Sequence, residues 1–103
     1  MEYKHTPKTK TALIAAIREE IHLQGECANL NCIDTSAITN MRELFSKFKS
    51  FNGDISGWDV SNVTDMSDMF YGSSFRGDIS GWNVEKVEYF LFMFKWCRIS
   101  QEH

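Results

Sequence analysis

The chain has 103 residues, 43% hydrophobic, 14% aromatic and 24% charged, enough for one domain with one modest core and too short for a two-domain enzyme. Eight Phe, three Trp and three Tyr supply the apolar area that offsets chain ordering, so intrinsic disorder is not expected. Eleven basic against fourteen acidic side chains give a net charge of −3, without the broad basic field that direct nucleic-acid binding needs.

The amino end, Met1 to Lys8, is polar, and the apolar stretch Ala12 to Ile17 is broken at once by Arg18-Glu19-Glu20, so no secretory signal peptide is expected. Leu13, Ile14, Ile17, Ile21 and Leu23 make an apolar stripe, with Thr9 or Thr11 placed to cap its start and Gly25 to stop it. This predicts an amphipathic helix of about 12 to 15 residues within an arm-and-cap region, 1–28. Its expected role is a lid over the first repeat, the alternative being a helix that binds a partner. Cys27, Cys32 and Cys97 cannot all pair within one chain, which suggests free thiols and a reducing, cytoplasmic setting. The longest apolar run near the carboxyl end, Tyr89 to Phe94, falls far short of the roughly 20 residues of a membrane-spanning helix, so no membrane association is expected.

Beyond residue 28 the chain repeats itself. Phe51-Asn-Gly-Asp-Ile-Ser-Gly-Trp-Asp-Val60 returns 24 residues later as Phe75-Arg-Gly-Asp-Ile-Ser-Gly-Trp-Asn-Val84, and a weaker copy aligns Ile33 to Met41 with Trp58 to Met66. Apolar character is kept down the columns Leu30/Ile55/Ile79, Ile33/Trp58/Trp82, Ile38/Val63/Val87, Met41/Met66/Phe90, Leu44/Met69/Met93 and Phe45/Phe70/Phe94, which predicts stacked core ladders. Asp54 to Val60 has the mixed pattern of a short half-buried strand. Val63, Met66, Met69 and Phe70 fall on one face of a short helix that Ser61 would cap. The expected architecture is thus an α/β repeat solenoid of about three coils (29–50, 51–74 and 75–99) behind an N-terminal capping helix.

Residues 51 to 70, Phe-Asn-Gly-Asp-Ile-Ser-Gly-Trp-Asp-Val-Ser-Asn-Val-Thr-Asp-Met-Ser-Asp-Met-Phe, resemble the unit of the bacterial BspA-like leucine-rich repeats, and the likeness extends over about residues 29 to 99. The resemblance implies a curved right-handed solenoid with parallel strands and no catalytic residues. Long members of that family are cell-surface adhesion proteins, whereas short members without a leader occur in bacterial and mobile-element genomes.

The far end of the repeats carries a break in pattern. Where the second repeat has Asp65, Ser67 and Asp68, the third has Tyr89, Leu91 and Phe92, so its outward face turns apolar. Ile99 occupies the column of Phe51 and Phe75, and only four residues come after it. Tyr89, Leu91, Phe92 and Trp96 are therefore expected to form a homodimer contact or the docking site of a target protein, the alternative being a cap made by the C-terminal tail.

Candidate chemistry is sparse. His22, Cys27 and Cys32 are spaced by five and five, which lacks the close ligand pair and the fourth ligand of structural zinc, so no metal is expected. No spacing brings a cysteine to His5, His22 or His103 for nucleophilic work. Asp54/Asp78 and Asp34/Asp59 recur in register and could serve acid–base chemistry or calcium, but Asp beside Ser at a turn ordinarily accepts hydrogen bonds from local amides. There is no nucleophile elbow, phosphate-cradling glycine loop or His-Glu metal motif, so neither enzyme activity nor a cofactor is expected.

Charge is uneven: residues 1–50 carry seven basic and six acidic side chains, residues 51–103 four and eight. If Asp54, Asp59, Asp65, Asp68, Asp78, Glu85 and Glu88 share a face, that acidic surface could steer toward the basic site of a nucleic-acid-binding enzyme, the alternative being an ordinary solvated surface. The strand face around Asp54, Ser56, Asp59, Asp78, Ser80 and Asn83 is expected to engage another protein. The expected function is a non-enzymatic protein-binding module, in its most specific form a phage or mobile-element inhibitor of a host defence nuclease, of the anti-CRISPR type. The alternatives are a homo-oligomer stacking through residues 89–99 and a fragment of a surface adhesion protein.

Overall fold

A computed structural model of the protein describes residues 2–94. Its one helix, α1, spans Lys10–Gln24. Thr9 caps it, the hydroxyl accepting the Ala12 amide at 3.1 Å, and Gly25 ends it with φ +90°, a backbone angle that suits glycine, while donating to Ile21 O at 2.7 Å. Leu13, Ala16 and Ile17 turn inward and join the buried core that includes Ala28, Leu30 and Ile33. Gln24 fastens the helix to the first repeat, receiving the Asn29 amide at 3.0 Å and donating to the Asn29 carbonyl at 3.2 Å. The arm before α1 lies along the same repeat, where the amides of Lys4 and His5 both donate to Cys32 O and the Asp34 amide donates to His5 O.

After α1 the described residues hold no further helix and no sheet. What pairing exists is four isolated parallel bridges, His5–Ile33, Asn29–Asp54, Asn40–Asp65 and Asp65–Tyr89. This overturns the expected α/β repeat solenoid of three coils: neither the strand over Asp54–Val60 nor the helix over Val63–Phe70 forms. The reason lies in where the amides go. Met66, Asp68 and Phe70 donate to Tyr89, Leu91 and Met93 carbonyls at 2.7, 3.0 and 2.9 Å, whereas a helix would return those amides to its own chain four residues back. Met41, Glu43 and Phe45 donate likewise to Asp65, Ser67 and Met69. Between them Leu44, Met69 and Met93 close tight turns onto carbonyls three residues earlier.

Two further devices keep the chain in turns. Glu43, Asp68 and Phe92, which occupy equivalent positions, have φ of 57°, 57° and 58°, and a left-handed residue ends any right-handed helix. On the other half of each repeat, Asp54, Asp59 and Asp78 bond the amide two residues on, which starts a turn where a strand would have continued. Ser61, expected as a helix cap, instead donates its own amide to Asp59.

The apolar columns nevertheless form the core. Phe45, Phe70 and Phe94 stack at 5.4 Å between successive ring centroids, Phe51 lies 6.0 Å from Phe75, and Trp58 lies 6.5 Å from Trp82 with the rings 5° from parallel. Each buried indole also meets its hydrogen-bonding need across repeats, Trp58 Nε1 donating to Leu30 O at 2.9 Å and Trp82 Nε1 to Ile55 O at 3.1 Å. Burial fades along each column: Met41 and Met66 are essentially inaccessible, while Phe90, next in line, is 64% exposed.

Candidate functional site

The residues of the predicted strand face form a row of turn-forming side chains. Asp54, Asp59, Asp78 and Asn83 each accept the backbone amide two residues on, at 2.9 to 3.1 Å. Ser56 and Ser61 add their hydroxyls to Asp54 and Asp59. The hydroxyls of Ser56, Ser61 and Ser80, with a smaller effect from the amides of the same residues, hold Asp54, Asp59 and Asp78 below the ordinary carboxylate range. Carboxylates so held carry no proton at neutral pH and are poor general acids. Their regular spacing matches the turns they start.

Under the arm, a polar cluster joins residues distant in sequence. Glu20, on α1 and almost fully buried, accepts from Lys4 Nζ at 2.8 Å, shares a hydrogen bond of 2.7 Å with His5 Nε2, and accepts from Gln24 Nε2 at 2.8 Å. The Lys4 ammonium first, then His5, pulls the Glu20 carboxyl down to about 2 against the opposing effect of burial. Sequence reasoning misses this cluster because neither local period nor motif links residues 4 and 5 to residue 20.

With Glu19, these residues are also the group of potential metal ligands that converges among the described residues, the ligand atoms of His5, Glu19 and Glu20 lying within 4.8 Å of one another. They do not suit a cation. The inner carboxylate already faces the Lys4 ammonium and has each oxygen engaged, which reads as a structural ion pair fastening the arm to α1.

This ion pair makes stability depend on pH. Glu20 ionises more readily in the folded chain than in the unfolded one, so its contribution is full above about 4.5 and lost as pH falls toward about 2. With Lys4 half in solvent, that contribution is on the order of 2 kcal/mol. Glu20→Gln should therefore lower stability at neutral pH by about this amount. The gap between variant and wild type should close as pH falls through that window, as read from urea unfolding at a series of pH values.

The cysteines sit apart from chemistry. Cys27 is an exposed free thiol, and Cys32 is a partly buried one whose pKa is raised, chiefly by burial. The trio His22, Cys27 and Cys32 does not converge on a common point among the described residues. Trp96 and Cys97 lie outside the described residues.

The remaining surface of note is apolar. Tyr89, Phe90, Leu91 and Phe92 are 61, 64, 71 and 52% exposed, and Val84 joins them at about half. Val84, Phe90 and Phe92 border a groove of about 640 Å³ whose wall also includes Met66, Ile79, Trp82, Val87 and Met93. On the outer flank a smaller cleft sets Tyr89, Leu91 and Phe92 beside Arg42, Asp65 and Asp68. Phe92 stands out because it holds a left-handed backbone angle where earlier repeats have Glu and Asp, an uncommon state for a bulky aromatic. The structure thus brings together Tyr89, Leu91 and Phe92, and adds Val84 and Phe90, which the sequence pattern leaves out or places in the core. The signal for Phe90 is positional: its column is buried only where another repeat lies over it.

Among the described residues, fold and site together define a chain of turns in which α1 packs on the first sequence repeat and the third exposes the apolar side chains Val84 and Tyr89 to Phe92. Residues 15–102 match the family described as Mycoplasma protein of unknown function, DUF285, and the chain belongs to that family. Neither a curated protein nor a solved structure matches it. No helix among the described residues is long and apolar enough to cross a membrane.

Proposed function

We propose that this chain is a non-enzymatic protein-interaction module whose contact surface is Val84 and Tyr89 to Phe92 around the apolar groove. One observation carries the reading: four consecutive apolar side chains, each more than half exposed, where the preceding repeat has Asp65, Met66, Ser67 and Asp68. A contiguous patch of this kind, rich in aromatic residues and floored by a preformed groove, has the composition of an interface centre. The acidic residues enter as scaffold, since Asp54, Asp59 and Asp78 each accept hydrogen bonds within their own turns. The likeness to BspA-like repeats, a family without catalytic residues, supports the same reading. The free thiols of Cys27 and Cys32 fit a reducing compartment.

The test is a photo-crosslinking amino acid introduced at Leu91, with the same group at Ser50, an exposed position of the first repeat away from the groove and the cleft, as control. The reading expects crosslinks to a polypeptide from position 91 in the native cell and none from position 50. Equal labelling from both, or none from either, would overturn it.

A further inference from the structure

We infer that the occupant of the apolar end is a second copy of this chain, docked through the same residues about a two-fold axis. This rests on the reading of Val84 and Tyr89 to Phe92 as a docking surface and names what docks there.

The repeats themselves show what covers such a surface. Met66 sits in the column of Phe90 and is 1% exposed because the next segment lies over it, with the Met66 amide donating to Tyr89 O and the Phe70 ring 5.4 Å from Phe94. The chemistry that fits the end of this stack is another repeat of the same kind, presenting aliphatic and aromatic side chains edge to edge.

Among the described residues, a second copy offers one such edge. Its opposite end is closed: Leu13 and Ile17 of α1 are fully buried against the first repeat, Gln24 clamps Asn29 from both sides, and the arm pairs with residues 32–34. The other large apolar side chains in the open among the described residues, Tyr3 and Leu23, lie on the arm and near the end of α1, away from this patch. Head-to-tail stacking is therefore blocked, and the contact must join like to like. Such an isologous contact closes at two chains.

The area is adequate. Three aromatic side chains at half to two-thirds exposure, with Leu91 and Val84, present on the order of 500 Å² of apolar surface. The groove walls and the polar rim at Arg42, Asp65 and Asp68 bring this toward the roughly 800 Å² that each partner buries in a standard interface. The patch itself carries no carboxylate or ammonium, so two chains of net charge −3 repel mainly through groups outside it. Added salt should therefore leave the association intact or strengthen it, whereas a partner held by a basic rim would be released.

Sedimentation equilibrium of the full chain under reducing conditions, over a wide concentration range, tests this. The expected mass rises from the 11.9 kDa of one chain and stops at twice that value. Leu91→Asp and, separately, Val84→Asp should each weaken self-association at least tenfold while keeping the helical signal of α1, and Ser50→Asp, at an exposed position of the first repeat that lines neither the groove nor the cleft, should leave it unchanged. A single-chain mass at every concentration, growth beyond two chains, or a dimer indifferent to both variants would overturn the proposal. A single-chain mass combined with crosslinks from position 91 to a foreign polypeptide would sink the self-contact and leave the docking reading standing. Absence of both would sink the two together.

Discussion

Phe70→Ala should cost about 3–5 kcal/mol and bring the chain close to unfolding at room temperature. The Phe70 ring is fully buried and stacks on three others, 5.4 Å from Phe45, 4.6 Å from Phe75 and 5.4 Å from Phe94. Removing it takes away a large apolar area and leaves a cavity between layers that cannot close, because the inter-repeat hydrogen bonds on either side fix the spacing. Phe90→Ala is the natural comparison. Also a phenylalanine, in the next repeat but in the column of Met41 and Met66, and 64% exposed, it should change stability in dilute solution by no more than about 0.5 kcal/mol. Thermal and urea denaturation followed by circular dichroism separate the two, and similar losses at both positions would contradict the difference in burial between them.

The second large effect is expected at a glycine. A Cβ at Gly53 would lie 1.9 Å from the carbonyl oxygen of Ala28, a backbone atom that also accepts the Asp54 amide at 3.0 Å. Gly53→Ala must push the second repeat away from the backbone at Ala28 and disturb that hydrogen bond, for a loss of about 3 kcal/mol. Gly77, in the same column one repeat later, meets chiefly the Phe75 ring at 2.6 Å and should lose less, because a side chain yields more readily than a backbone. At Gly81 nothing lies within 4 Å and alanine should be neutral. The order Gly53, Gly77, Gly81 in the same denaturation experiment reflects how much backbone stands opposite each one.

Much of the packing is legible in the sequence, and much of the backbone is not. Thr9, the stripe through Leu13 and Ile17, and Gly25 mark α1, since caps and a 3.6-residue period are local signals. The columns from Leu30 to Phe70 mark the core because apolar character is kept at a fixed interval. The secondary structure within a repeat is hidden for a physical reason. Val63, Met66, Met69 and Phe70 have helical spacing, yet the amides of Met66 and Phe70 reach carbonyls more than twenty positions away, and no local window contains those partners. Glu43, Asp68 and Phe92 give no warning either, since none is the glycine or asparagine that ordinarily marks a left-handed turn.

The candidate site divides in the same way. Tyr89, Leu91 and Phe92 are visible in the sequence as apolar residues where the preceding repeat is polar. Phe90 and Val84 are hidden, because a column is buried only where another repeat covers it. Asp54, Ser56, Asp59, Asp78, Ser80 and Asn83 are candidates for contact by sequence and are occupied in their own turns in the structure. The Glu20 cluster needs three dimensions, since its partners come from the arm and from α1.

Hydroxyl-radical footprinting of the purified chain across a dilution series tests the central claim most directly, because it reads the apolar end residue by residue. Tyr89, Phe90 and Phe92, all more than half exposed in the single chain, should be oxidised slowly at high concentration and faster on dilution, while Tyr3 on the arm keeps one rate throughout. Rates at all four residues that do not change with concentration would contradict the claim that a second chain covers this surface.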